Sequence, residues 1–157
     1  MRLNEILADC EYENIAAGSG LGSAGGMSNA GLLLNAEISG IAYDSRKVME
    51  DNIFVAIRGE NFDGHDFIYD AIRKGAAAVV HEEAATSNGL NRDPLPVFIK
   101  AEDSRDALAC ISNNFYERPS ENLTVIGVTG TNGKTTTAYI IKSILEAWGR
   151  DVGLIGT

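Results

Sequence analysis

Apolar and polar positions change period several times along the chain, and each change marks an element. Residues 38–43, 53–57, 77–80 and 97–99 are short, mostly apolar runs bounded by polar turns, which predicts strands, with 53–57 more buried than 38–43. Between them the period lengthens. Phe67, Ile68, Ala71 and Ile72 recur at three- and four-residue steps and predict a helix over about 66–74, ended by Gly75. Ala107, Leu108, Ile111 and Phe115 share a second helical face, with Asp103 placed to cap it and Pro119 marking its exit. A short amphipathic piece at 3–7 precedes all of these. Further on, 123–128 reads as a buried strand and 151–156 as another. Between them Ile140, Ile141, Ile144, Leu145 and Trp148 fall on one side of a helix that Gly149 closes.

Strand, turn, helix and strand make a βαβ unit, so the chain reads as α/β. A small α/β domain is expected over 1–121 and the start of a Rossmann-like, parallel-sheet domain over 122–157. The right-handed crossover rule sets 123–128 beside 152–155, parallel, with the helix packed across them. Residues 18–34 hold six glycines among serines and alanines, the composition of a flexible insertion.

The chemistry concentrates between Gly127 and Thr137. A β-branched strand enters a glycine-rich turn, which ends in Lys134 and Thr135 and opens a helix. Backbone N–H groups at a helix start, the helix dipole and glycines that admit close approach together suit a nucleotide's phosphates. Lys134 is placed to reach the outer phosphates and the Thr135 hydroxyl to coordinate Mg²⁺. The strict pattern G-x-x-x-x-G-K-[ST] is not met, because Val128 stands five before Gly133. The loop is a variant, G-x-x-G-K-T.

Charge narrows the partners. The 157 residues carry 13 Lys plus Arg against 22 Asp plus Glu, a net charge of -9, which argues against a nucleic-acid backbone. The excess is local, with residues 1–121 at -10 and the remainder at +1. Cys10 and Cys110 stand far apart with no C-x-x-C partner, so neither reads as a metal or redox motif. The first residues lack a signal-peptide pattern and no stretch reads as a membrane span, so the cytoplasm is the expected compartment.

Residues 40–46, 53–59, 62–67 and 75–79 resemble the N-terminal uridine-nucleotide domain of the Mur ligases, and 127–137 with 153–157 resemble the start of their ATP domain. The resemblance covers nearly the whole chain outside 18–34. It points to the branch that adds the third amino acid of the peptidoglycan stem. It implies an ATP- and Mg²⁺-dependent amide ligase, a monomer, acting on a UDP-N-acetylmuramoyl dipeptide and an amino acid through an acyl phosphate. Lys134 is then catalytic, Thr135 holds the metal, and Gly130, Thr131, Asn132, Gly133 and Thr136 complete the cradle. Tyr43, Ser45, Glu60, Asn61 and Phe62 match positions near the uridine nucleotide. His65 reads as a turn or capping residue, and Asp44, Arg46 and Asp63 as members of structural ion pairs. The end of the chain one strand after the loop reads as an incomplete piece of such an enzyme. The alternatives are the sister ligase that adds D-alanyl-D-alanine, a P-loop kinase or GTPase switch, and a non-catalytic uridine-nucleotide module.

Overall fold

The apolar runs of the first half assemble into one sheet because each strand has two faces to bury. In the computed structural model, which describes residues 1–17, 34–83 and 95–156, the chain separates into two compact units, Met1–Pro119 and Ser120–Thr157. The elements of the first are α1 (Leu3–Ile6), β1 (Asn14–Ala17), β2 (Gly40–Ala42), β3 (Asn52–Val55), α2 (Ile68–Arg73), β4 (Ala78–His81), β5 (Val97–Lys100) and α3 (Ser104–Phe115). The sheet order is β1-β5-β4-β3-β2. Strands β2 to β5 are parallel, and β1 lies antiparallel on β5 with Asn14 opposite Lys100.

Alternation along the strands divides the core in two. Ile53, Val55, Ala78, Val80, Val97 and Ile99 pack on one face with α1 and α3. Phe54, Val79 and Phe98 point the other way, into Ile68, Ala71 and Ile72 of α2. Both faces are therefore covered, as parallel strands require. Asp103 caps α3 by accepting from the N–H groups of Arg105 and Asp106, the role its position predicts. Buried Asn114 on α3 donates to the Ile6 and Ala8 carbonyls and so satisfies the end of α1.

Four readings are corrected here. The helix expected over 66–74 begins as a 3₁₀ turn, Gly64–Phe67, and becomes α-helical only at Ile68, because Asp63 caps the tighter turn by accepting from the His65 N–H. Strand β1 forms just before the glycine-rich stretch, where no element is expected from the sequence; its four residues gain order from the β5 ladder. Cys10 and Cys110 are bonded to each other, with their Cα atoms 5.7 Å apart, although 100 residues separate them. The fourth concerns the second unit, where α4 (Lys134–Ala147) forms as expected but residues 123–128 and 152–155 enter no ladder. A strand exists through its neighbour's hydrogen bonds, and these two segments make none with each other. Leu123, Val125 and Ile126 are exposed, as are Ile140, Ile144 and Trp148 on α4. Most of the glycine-rich insertion lies outside the described residues. Among the described residues, no helix is long and apolar enough to cross a membrane.

Candidate functional site

The turn before α4 has a backbone that only glycine adopts easily. Gly130 has φ 143° and Gly133 φ 74°, and a Cβ on Gly133 would meet nothing within 4 Å, so conformation and not crowding selects glycine there. Gly133 is the N-cap of α4 and offers no side chain to the first turn. The helix start is thus left with donors that only an outside acceptor can satisfy, together with the positive end of a 14-residue dipole. The Lys134 Nζ donates to the Gly130 carbonyl at 2.5 Å, which folds the ammonium back over the turn. Thr131, Asn132, Thr135 and Thr136 complete an exposed rim. Lys134 and Thr135 also line a cleft of about 500 Å³ whose apolar wall includes Ile126, Val128, Tyr139 and Leu154. These groups fit a nucleotide triphosphate and its hard cation: main-chain N–H donors, one ammonium and hydroxyl oxygens.

In the first unit, the candidate residues leave one edge of the sheet. Strands β2 and β3 are adjacent and parallel, so their carboxyl ends lie side by side. Tyr43 and Ser45 follow β2; Glu60, Asn61 and Phe62 follow β3. The edge beyond the carboxyl ends of parallel strands is where open α/β sheets receive ligands. Ser45 starts a 3₁₀ turn, Ser45–Lys47, capped by Asp44 through the Arg46 N–H at 3.0 Å; the Ser45 carbonyl accepts from Lys74 Nζ at 2.8 Å. Arg46 also pairs with Asp44, and its guanidinium and N–H hold that carboxyl down at about 2. Tyr43 is 65% and Phe62 76% exposed, so neither is a core residue.

Glu60 and Asn61 form the tip of a tight hairpin. Arg58 and Asp63 bridge its base, the Gly59 N–H donates to the Phe62 carbonyl, and the Gly64 N–H donates to the Ile57 carbonyl, both at 2.9 Å. Gly64 is required by close approach, since a Cβ there would stand 2.6 Å from the Ile57 nitrogen. Asp63 pairs with Arg58 and accepts from His65, so the ion-pair and turn roles read for Asp63 and His65 are the ones observed. Sequence reasoning missed the supports contributed by other elements: Glu82, Glu83 and Arg105. Their signal is topological, because β4 and the start of α3 reach the hairpin only through the sheet order.

Comparison with known proteins covers both units. A family model described as "Mur ligase family, catalytic domain" matches residues 37–116, and "Mur ligase middle domain" matches 128–157. The UDP-N-acetylmuramoyl-L-alanyl-D-glutamate–2,6-diaminopimelate ligase 2 of Clostridium acetobutylicum is 41% identical over all 157 residues, which span 29% of its own length. The corresponding ligase of Clostridioides difficile is 46% identical over the whole chain and 28% of its own. The chain thus spans less than a third of these curated relatives. Among solved structures, the MurF ligase of Thermotoga maritima in complex with ADP is 38% identical at a TM-score of 0.51, covering 68% of this chain and 23% of that one. The UDP-N-acetylmuramoylalanyl-D-glutamyl-2,6-diaminopimelate–D-alanyl-D-alanyl ligase of Acinetobacter baumannii is 31% identical at a TM-score of 0.51, covering 70% of this chain and 23% of that one.

Proposed function

Because the chain belongs to the Mur ligase family, we propose that it serves ATP-dependent addition of 2,6-diaminopimelate to UDP-N-acetylmuramoyl-L-alanyl-D-glutamate, the third-residue step of the peptidoglycan stem. One observation carries this reading: all 157 residues, both units in order, align with ligases named for that reaction. Residues 1–121 receive the uridine nucleotide and residues from 122 onward hold ATP.

ATP, when bound, supplies the phosphoryl group that turns the D-glutamyl carboxylate into an acyl phosphate, and Mg²⁺ supplies counter-charge. The chain's residues bind and orient. Gly130 and Gly133 turn the backbone so that α4 begins without a side-chain cap, and its N–H donors are available to phosphate oxygens. Lys134 adds a mobile cation whose hold strengthens as charge builds on the transferred group. Thr135 provides the hydroxyl for the metal. At the sheet edge, Ser45 and Asn61 offer hydrogen bonds to the diphosphate, ribose or uracil, and Phe62 an apolar face for the base.

The solved structures favour a second reading, the sister ligase that adds D-alanyl-D-alanine. Phosphate release by the natural protein carrying this chain separates the two. With ATP and Mg²⁺, release should require UDP-N-acetylmuramoyl-L-alanyl-D-glutamate plus diaminopimelate. Release only with the tripeptide nucleotide plus D-alanyl-D-alanine would replace the first reading by the second.

A further inference from the structure

The hairpin that carries Glu60, Asn61 and Phe62 is tied to the body of the sheet by a histidine with both ring nitrogens committed. His65 lies in the 3₁₀ turn just after the hairpin, its side chain 12% exposed. Its Nδ1 stands 2.6 Å from Asp63 Oδ1, and the same oxygen accepts the His65 backbone N–H at 2.9 Å. Its Nε2 accepts the backbone N–H of Glu82, the residue after β4, at 3.0 Å. The Glu82 carboxylate in turn accepts from the Ser104 N–H at the start of α3, at 2.9 Å. A neutral imidazole has one donor and one acceptor. Since Asp63 is held ionised and Glu82 presents an N–H, one assignment satisfies both contacts: proton on Nδ1, lone pair on Nε2.

We infer that His65, as the neutral Nδ1–H tautomer, is a positioning residue that sets the Glu60–Asn61–Phe62 hairpin for the uridine nucleotide. The inference rests on the proposed reading of that hairpin as the nucleotide contact. A proton on Nε2 would face the Glu82 N–H, donor against donor, and the link to β4 would open. The parallel tie from Arg58 to Glu83 is exposed on both sides, so it holds the hairpin weakly. Arg105 reaches the hairpin base by donating to the Arg58 carbonyl at 3.1 Å. The charged and titratable groups around the ring are Asp63 and Arg58 on its own loop, His81, Glu82 and Glu83 at the end of β4, and Arg105 on α3. His81 is buried, and that burial lowers its pKa and favours its neutral form.

The 157-residue chain itself is the test object, with UDP as the probe. Nitrogen-15 spectra of the ring should show the Nδ1–H tautomer. His65→Gln can keep an acceptor near the Nε2 position, whereas His65→Asn keeps only a donor toward Asp63. UDP affinity should therefore drop about tenfold in His65→Asn and recover in large part in His65→Gln. Amide exchange at Gly59 and Gly64 should quicken in His65→Asn with no ligand present. Unchanged exchange and UDP affinity in that variant, an Nε2–H tautomer, or equal loss in both variants would overturn the inference. If the wild-type chain binds no UDP, the nucleotide reading of the hairpin falls, and the tautomer and exchange measurements still decide whether His65 holds it.

Discussion

Lys134 and Asp63 show how differently two charged side chains can matter. Lys134 is exposed and its hydrogen bond to the Gly130 carbonyl is local, so it contributes little to stability. Lys134→Ala, made in the natural protein carrying this chain, should leave the fold and UDP-substrate binding intact and abolish ligation. The loss in phosphate binding should be about 1.5–3 kcal/mol, and larger in the transition state. Turnover at the wild-type rate would refute the role. Asp63 is the opposite case. The His65 backbone N–H, the His65 ring and the Arg58 guanidinium hold its carboxyl down at about 2, against an ordinary 3.8. A depressed folded-state value means that its stabilisation is complete above about pH 4 and is lost as pH falls through about 2. Asp63→Asn should remove that part of the acid-unfolding slope, measured by circular dichroism between pH 5 and 2, while the slope above pH 5 stays as it was.

At the scale of elements, what was legible in the sequence is what local pattern determines. Runs such as 53–57 and 77–80 announce buried strands because both their faces are apolar, and α3 announces itself through Asp103 and a face containing Ala107 and Ile111. Elements that exist through a partner were not legible. Strand β1 depends on β5, the Cys10–Cys110 bond on the approach of α3 to the end of α1, and the supports of His65 on β4 lying next to β3. The phosphate turn was readable because its glycines and Lys134 are contiguous, whereas the uridine-nucleotide positions came from family resemblance and gain only a common sheet edge from the structure. The hairpin tests the point. Gly64→Ala would put a methyl 2.6 Å from the Ile57 nitrogen and 2.7 Å from its oxygen, both backbone atoms that cannot rotate away. The base of the hairpin must open. The variant should lose about 1–3 kcal/mol in urea unfolding and lose UDP affinity with it; wild-type values of both would show that the hairpin tolerates a different backbone.

The two proposed nucleotide functions fall on units of very different charge and packing. The first unit has two packed faces around a five-stranded sheet and the α1–α3 contacts needed to hold it, so it has what a folded binding domain requires. It is also acidic, with residues 1–119 at -9, which opposes an anionic ligand. The proposed edge carries Arg46 and Lys47 beside Ser45, Lys74 on its carbonyl, and Arg58 and Arg105 at the hairpin, but Arg46 is paired with Asp44 and Arg58 with Asp63 and Glu83, so Lys47 and Lys74 are cations left for an anionic ligand. The second unit, by contrast, keeps its helix and phosphate turn but leaves Ile140, Ile144 and Trp148 exposed and its two flanking segments without a ladder. A phosphate cradle on an unsupported helix lacks the preorganisation that makes phosphoryl transfer fast. The 157-residue chain alone should therefore bind UDP weakly, bind ATP more weakly still, and catalyse neither ATP hydrolysis nor amide formation. Nuclear magnetic resonance titrations would check this: UDP should move the signals of Tyr43, Ser45 and Glu60 to Phe62 and leave those of Gly130 to Thr136 in place. Tight ATP binding or measurable turnover by the isolated chain would mean that the second unit is preorganised without a sheet beneath its helix.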